Sequence, residues 1–276
     1  MYQADEKRYE TMQYNRCGKS GLLLPKVSLG LWHNFGSNGD YDNMKAMCFT
    51  AFDHGITHFD LANNYGPEPG SAEINFGRIL KEDLGAYRDE MLISTKAGFD
   101  MWDGPYGNWG SKKYLTASLD QSLERLGLEY VDIFYHHCMT PDTPLKETAL
   151  CLADLVRRGK TLYVGMSNYD GKTMHRMYHK CDDVQAPFVI NQNRYSIFDR
   201  TVEKNKLLKE ARDKGNTITI SADSKGNIPV FNGYTKETDY IACGLYSPWK
   251  DVITINAAKF NIENGVGILS RGGQIT

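Results

Sequence analysis

Four side chains of different chemistry stand at the edges of short apolar runs in this chain. "HFDLANNYGPEPG" (58–70) carries Asp60 and Tyr65, "LISTKAG" (92–98) carries Lys96, and "VDIFYHH" (131–137) ends on His137. A carboxylate, a phenol, an ammonium and an imidazole can between them hold, give and accept a proton. Taken singly, each has a plainer reading. Asp60 would be a turn or cap acceptor, Tyr65 loop packing, Lys96 a solvated charge and His137 a hydrogen-bonded core histidine. Asp60, Lys96 and His137 stand at or just beyond successive strand ends, which is the reason to weigh a joint reading against the separate ones.

The elements that must position them are legible as alternation. Apolar, β-branched runs occupy residues 27–32, 57–62, 91–96, 131–136, 162–167, 188–192 and 217–221. Runs apolar on both faces suit parallel strands covered by helices. Between them lie segments of helical period. Met44, Met47, Cys48, Ala51 and Phe52 form one stripe that stops at Gly55, and Leu115, Leu119, Leu123 and Leu126 form another between Ser111 and Gly127. Met174, Met177, Tyr178 and Cys181 form a third, and Pro144 reads as the first helical residue after a cap at Asp142 or Thr143, with Gly159 past the helix end. Strand and helix alternating in this way predict an α/β fold, a (β/α)8 TIM barrel, over a doubly wound sheet, since no G-x-G-x-x-G follows any of the strands. In such a barrel, polar residues at strand ends converge on one mouth. Ser167 and Asn168 close the fifth run and Gln192 the sixth.

Bulk properties narrow the class. The 276 residues suit one barrel domain, and 41% hydrophobic with 24% charged residues is ordinary for a globular chain. A net charge of -2 without runs of like charge argues against nucleic acid and anionic membranes as partners. No signal-peptide core and no membrane-length apolar run stand out, and six cysteines (17, 48, 138, 151, 181, 243) without CxxC pairs suit a reducing cytoplasm. His175, His179 and Cys181 have ligand-like spacing, but the apolar stripe of their helix puts the histidines on its solvated edge, so no metal is expected.

"NRCGKSGLLLPKVSLGLW", "GITHFDLANNYG", "ISTKAG", "LGLEYVDIFYHH", "KTLYVGMSN" and "VINQNRYSIFDR" together resemble the aldo-keto reductases over about residues 14–215. The "YGPEPGSAE" loop is most similar to the bacterial glyceraldehyde 3-phosphate reductase group, close to the potassium-channel β subunits. The resemblance implies an N-terminal β-hairpin over residues 14–26 and NADPH-dependent reduction of a small aldehyde or ketone. It implies Tyr65 as proton donor, Lys96 as the cation that favours its phenolate, Asp60 as the partner of that cation and His137, the second histidine of the pair, as the group that orients the substrate oxygen. A phenol with a pKa near 10 needs such help, and stranding one charge of a buried pair costs about 3 to 5 kcal/mol. Ser167, Asn168 and Gln192 would hold the nicotinamide carboxamide. Trp32, Trp102 and Trp109 are expected to wall the substrate site, with scaffold packing as the alternative for the last two.

From about Asn216 the chain leaves the family pattern, so the last βα units are expected to be truncated or irregular within a single 1–276 domain. "VGILS" (266–270) is the candidate eighth strand, and Ser270 and Arg271 are the candidates for a phosphate grip. A catalytically weak, nucleotide-binding or regulatory protein is the alternative function. The expected partner is a small carbonyl compound, with association into a homo-oligomer left open.

Overall fold

The structure is a computed structural model that describes residues 2–195 and 199–216 in full and 217–221, 252–256, 260–263 and 266–269 by backbone. Its first strands, β1 (Tyr14–Arg16) and β2 (Leu23–Pro25), pair antiparallel as a hairpin. Parallel strands follow: β3 (Val27–Gly30), β4 (His58–Asp60), β5 (Leu92–Ala97), β6 (Val131–His136), β7 (Thr161–Ser167), β8 (Phe188–Arg194), β9 (Thr217–Ser221) and β10 (Val252–Asn256). They close in the order β3 to β10, with β10 pairing to both β9 and β3, as a parallel eight-stranded barrel.

Helices α1 (Tyr41–Asp53), α2 (Ser71–Ile79), α3 (Lys112–Leu126), α4 (Leu145–Arg157), α5 (Gly171–Asp183), α6 (Thr201–Lys204) and α7 (Leu207–Lys214) connect the strands. Their ends follow local chemistry. Ser111 Oγ accepts from Tyr114 N, and Gly127 at φ 66° closes α3 in the left-handed region that suits glycine. Asp40 caps α1 and Asp170 caps α5 in the same way. Pro144 differs from the sequence expectation. With φ -61° and ψ 126° it is itself the extended residue before α4, because its ring permits that φ and its missing N–H leaves no donor to satisfy.

Two apolar clusters flank the sheet. Phe59, Ile93, Phe134 and Val164 face the helices, against side chains such as Phe76, Leu119, Leu152 and Met177. On the other face, Ile133, Tyr135 and Ile190 meet Cys17 and Leu24 from the N-terminal hairpin segment, which therefore plugs the barrel floor. Above that plug the strands carry buried polar residues, among them Ser28, His58, Asp60, Ser94 and Lys96. A parallel strand apolar on both faces thus describes the lower barrel only.

The eighth barrel strand is Val252–Asn256, not "VGILS". β12 (Val266–Leu269) pairs antiparallel with β11 (Phe260–Glu263) as a separate hairpin. In the sequence an Asn-Gly dipeptide, a strong hairpin signal, stands between these two strands. Ser270 and Arg271 lie outside the described residues.

Candidate active site

Asp60 is the last residue of β4, and pairing sets it opposite Ser94 of β5, two residues before Lys96. Alternation along a strand then puts Ser94 and Lys96 on one face, toward Asp60. Lys96 Nζ lies 2.6 Å from Asp60 Oδ2, 2.6 Å from the Leu61 carbonyl oxygen and 3.3 Å from the Tyr65 hydroxyl. An ammonium has three donors, and all three are used. Because Lys96 only donates, the phenol oxygen of Tyr65 accepts from it, which leaves the phenol proton free to point elsewhere.

Asp60 is held from both sides. Ser94 Oγ donates to its Oδ1 at 2.6 Å, and Gln192 Nε2 donates to Oδ2 at 3.0 Å. The ion pair is fully buried, so its large desolvation penalty is offset only by this complete set of hydrogen bonds. Burial pulls the Lys96 pKa below its ordinary value, and the Asp60 charge opposes that pull. Burial and the same carboxylate raise the Tyr65 phenol well above 10. Tyr65 therefore rests as a neutral phenol, the form that can give a proton, with the Lys96 ammonium in hydrogen-bond contact with its oxygen.

The Tyr65 ring stacks on Trp32, with centroids 5.7 Å apart, and meets the edge of His137 at 6.1 Å. His137 follows β6, and its Nδ1 is buried without a hydrogen-bond partner. Burial, Lys96 and His136 keep its pKa well below 6.5, so the ring is a neutral imidazole. The neighbouring His136 points away, bonding Tyr169 Oη through Nδ1 at 2.6 Å.

Tyr65 and His137 open on a cavity of about 640 Å³, which also takes in Ser167, Asn168 and Gln192. That size is within the usual range for small-molecule sites. Asn168 sits at φ 59°, a region asparagine tolerates, and its Nδ2 donates to the His137 carbonyl oxygen at 3.0 Å. The site lines up polar amide and hydroxyl groups along one wall, which fits a neutral amide ligand, and Asn64 Oδ1 is a further buried acceptor at the mouth without a partner.

Trp32 lines this cavity, whereas Trp102 packs on Tyr114 at 5.1 Å and is not among its lining residues. Trp109 is largely exposed. Phe99 occupies the wall instead, edge-on to His137 at 4.6 Å. Its nearness to Lys96 in sequence was the available signal. Asn64, Asn193 and Arg194 also line the cavity without having been singled out by spacing or type. His175 and His179 lie on the exposed face of α5, bonded to Glu210 and Lys214, while Cys181 is buried.

Residues 26–233 match the model of the aldo/keto reductase family. The chain belongs to the aldo/keto reductase family. Its similarity to an Escherichia coli (strain K12) L-glyceraldehyde 3-phosphate reductase is 57% identity over 212 residues, covering 77% of this chain and 61% of that protein. A probable voltage-gated potassium channel subunit beta of Arabidopsis thaliana is 33% identical over 193 residues, 68% of this chain and 57% of the relative. The chain thus spans about three fifths of the length of these curated relatives. Among solved structures, a thermostable aldo-keto reductase in complex with the inhibitor epalrestat superposes with a TM-score of 0.66 at 30% identity, covering 76% of this chain and 72% of the other. Aldo/keto reductases generally use NAD(P)H. Among the described residues, no helix of this family member is long and apolar enough to cross a membrane.

Proposed function

We propose that this chain reduces a small aldehyde or ketone to the alcohol, with NADPH as reductant and Tyr65 as proton donor. The observation that carries the reading is the contact of Lys96 Nζ with both Asp60 and Tyr65 at the edge of a cavity that His137 also lines. A reduced nicotinamide supplies a hydride to the carbonyl carbon when bound. The chain's own residues do the rest. Ser167 and Asn168 hold the carboxamide from the cavity wall, joined by Gln192, whose amide nitrogen is also tied to Asp60. Neutral His137 offers a ring N–H to the carbonyl oxygen and fixes its angle, and the Tyr65 O–H passes its proton to that oxygen. As the phenol becomes phenolate, the Lys96 ammonium already in hydrogen-bond contact stabilises the developing charge without reorganising. Trp32 and Phe99 supply apolar walls that exclude water.

The glyceraldehyde 3-phosphate reductase relative supports a short, phosphorylated aldehyde as substrate. Five free cysteines among the described residues accord with a reducing compartment such as the cytoplasm. A nucleotide-binding or regulatory protein with little turnover is the second reading, and the channel-subunit relative supports its regulatory part. The test is Tyr65→Phe. NADPH titration, read by tryptophan fluorescence from Trp32, should give unchanged affinity, while aldehyde turnover falls by roughly 10² to 10⁴. Wild-type turnover in the variant would remove Tyr65 from the mechanism. Saturable quenching with no turnover in the parent protein would favour the second reading.

A further inference from the structure

His58 takes no part in the mechanism above, yet it lies at the centre of the barrel's buried polar layer. Its Nδ1 is 2.7 Å from Ser28 Oγ and its Nε2 is 2.9 Å from Ser94 Oγ, and all three residues are fully buried. Ser94 Oγ in turn bonds Asp60 Oδ1 at 2.6 Å, and Asp60 Oδ2 bonds Lys96.

We propose that His58 is a positioning residue for the candidate active site: through the Ser94 hydroxyl it fixes the rotamer of Asp60, and through Asp60 the place of the Lys96 ammonium beside Tyr65. The inference rests on the function proposed above and names a part of it that the four site residues leave unexplained, namely what orients the carboxylate.

Every proton in the relay follows from donor and acceptor capacity. The Asp60 carboxylate can only accept, so Ser94 spends its single O–H on Oδ1. The Ser94 oxygen must then accept from His58, which puts the ring proton on Nε2. Burial lowers the His58 pKa to about 4, with Lys96 acting in the same direction and Asp60 against it. The ring is therefore neutral, Nδ1 carries a lone pair, and Ser28 donates to it. One direction satisfies the whole chain: Ser28 to His58, His58 to Ser94, Ser94 to Asp60. Reversing it would leave Asp60 Oδ1 facing a lone pair in a buried site, the costly case of an unsatisfied acceptor. Asp60 is thereby clamped at Oδ1 by the relay and at Oδ2 by Gln192 and Lys96, so that neither oxygen can rotate away.

Two measurements on the full chain test this. The first is 15N NMR of labelled histidine, with the His58 signals assigned by their loss in His58→Gln. The expected result is a neutral Nε2–H tautomer that does not titrate between about pH 8 and about pH 6, across the range where an ordinary histidine would. An Nδ1–H tautomer or a protonated ring would overturn the proposal whether or not the chain reduces aldehydes. The second uses Ser94→Ala and His58→Leu, which break the relay on either side of one hydrogen bond. Each should lower kcat for aldehyde reduction by about tenfold with KM and cofactor affinity within about twofold, and His58→Gln, which keeps an N–H donor, should recover most of the loss. Both variants should also move the Lys96 ammonium 15N resonance. Unchanged kcat and an unchanged Lys96 resonance in Ser94→Ala would overturn the proposal, and this variant decides alone if His58→Leu does not fold. If the parent protein shows no turnover, the proposed function fails, while the tautomer and the Lys96 resonance still decide the relay.

Discussion

Tyr65 keeps its proton because it is buried beside a carboxylate, and Lys96 keeps its place because three acceptors surround it. Lys96→Met removes the cation from both neighbours at once. It should lower aldehyde turnover and shift its pH profile, and by stranding the Asp60 charge it should also destabilise the fold by about 3 to 5 kcal/mol. Adding Asp60→Asn should return part of the stability but none of the rate; a double variant that regains rate would contradict the assigned roles. The buried histidines make a separate prediction. His58 and His136 each have a pKa lowered to about 4 by burial, against 6.5 when exposed. Between those values the unfolded chain binds more protons than the native one, so stability is present in full above about 6.5 and is lost as pH falls toward 4. Going from about pH 7 to about pH 5 should cost about 2 kcal/mol for each ring, read as a fall in the urea midpoint. A midpoint flat over that range would mean the two rings are not buried as neutral groups. At this scale the sequence carried residue types and order, and these suffice to single out Asp60, Tyr65, Lys96 and His137. It did not carry the direction of the Tyr65 shift, which burial sets first and the Asp60 charge reinforces.

Helix α2 shows what an element adds. Glu73, fully buried on it, binds Arg125 of α3 at 2.7 Å and accepts from Thr95 Oγ1, the neighbour of Lys96, at 2.5 Å. The two helices approach closely where Gly77 faces the end of α3, and a Cβ there would lie 2.3 Å from the Arg125 carbonyl oxygen. Glycine to alanine in a helix ordinarily stabilises by about 1 kcal/mol. Gly77→Ala should instead destabilise by about 1 to 3 kcal/mol through overpacking against backbone, measured by thermal or urea unfolding. A stabilised variant would show that α2 and α3 can separate at no cost. Helix stripes and caps such as Ser111 and Gly127 were readable because they are local in sequence. Pro144 was displaced by one position, since a proline with that φ serves as well just before a helix as inside it. The eighth strand was missed because a short run such as Val252–Asn256 declares itself only through its partners β9 and β3, which are distant in sequence.

On the scale of the whole molecule, the barrel separates an apolar floor plugged by the N-terminal hairpin from a polar upper layer that ends at the cavity. We propose that residues 1–276 form one such domain, with β10 closing it. Among the described residues lining the cavity, Arg194 is the only lysine or arginine, and Asp199 holds it at 2.8 Å. A phosphate on the adenosine ribose would therefore gain little from this wall, where each charge-assisted hydrogen bond is worth about 1.5 to 3 kcal/mol. NADPH and NADH should bind this chain with affinities that differ little, and a strong preference for NADPH would place a phosphate site outside the described residues. The central claim, carbonyl reduction with Tyr65 as proton donor, is tested most directly by mixing the protein with a reduced nicotinamide carrying deuterium at the transferable position and a short aldehyde, then analysing the alcohol by mass spectrometry. The account predicts deuterium on the former carbonyl carbon with the parent protein and almost none with Tyr65→Phe at equal cofactor occupancy. Equal labelling by both proteins, or none by the parent with cofactor bound, would contradict it.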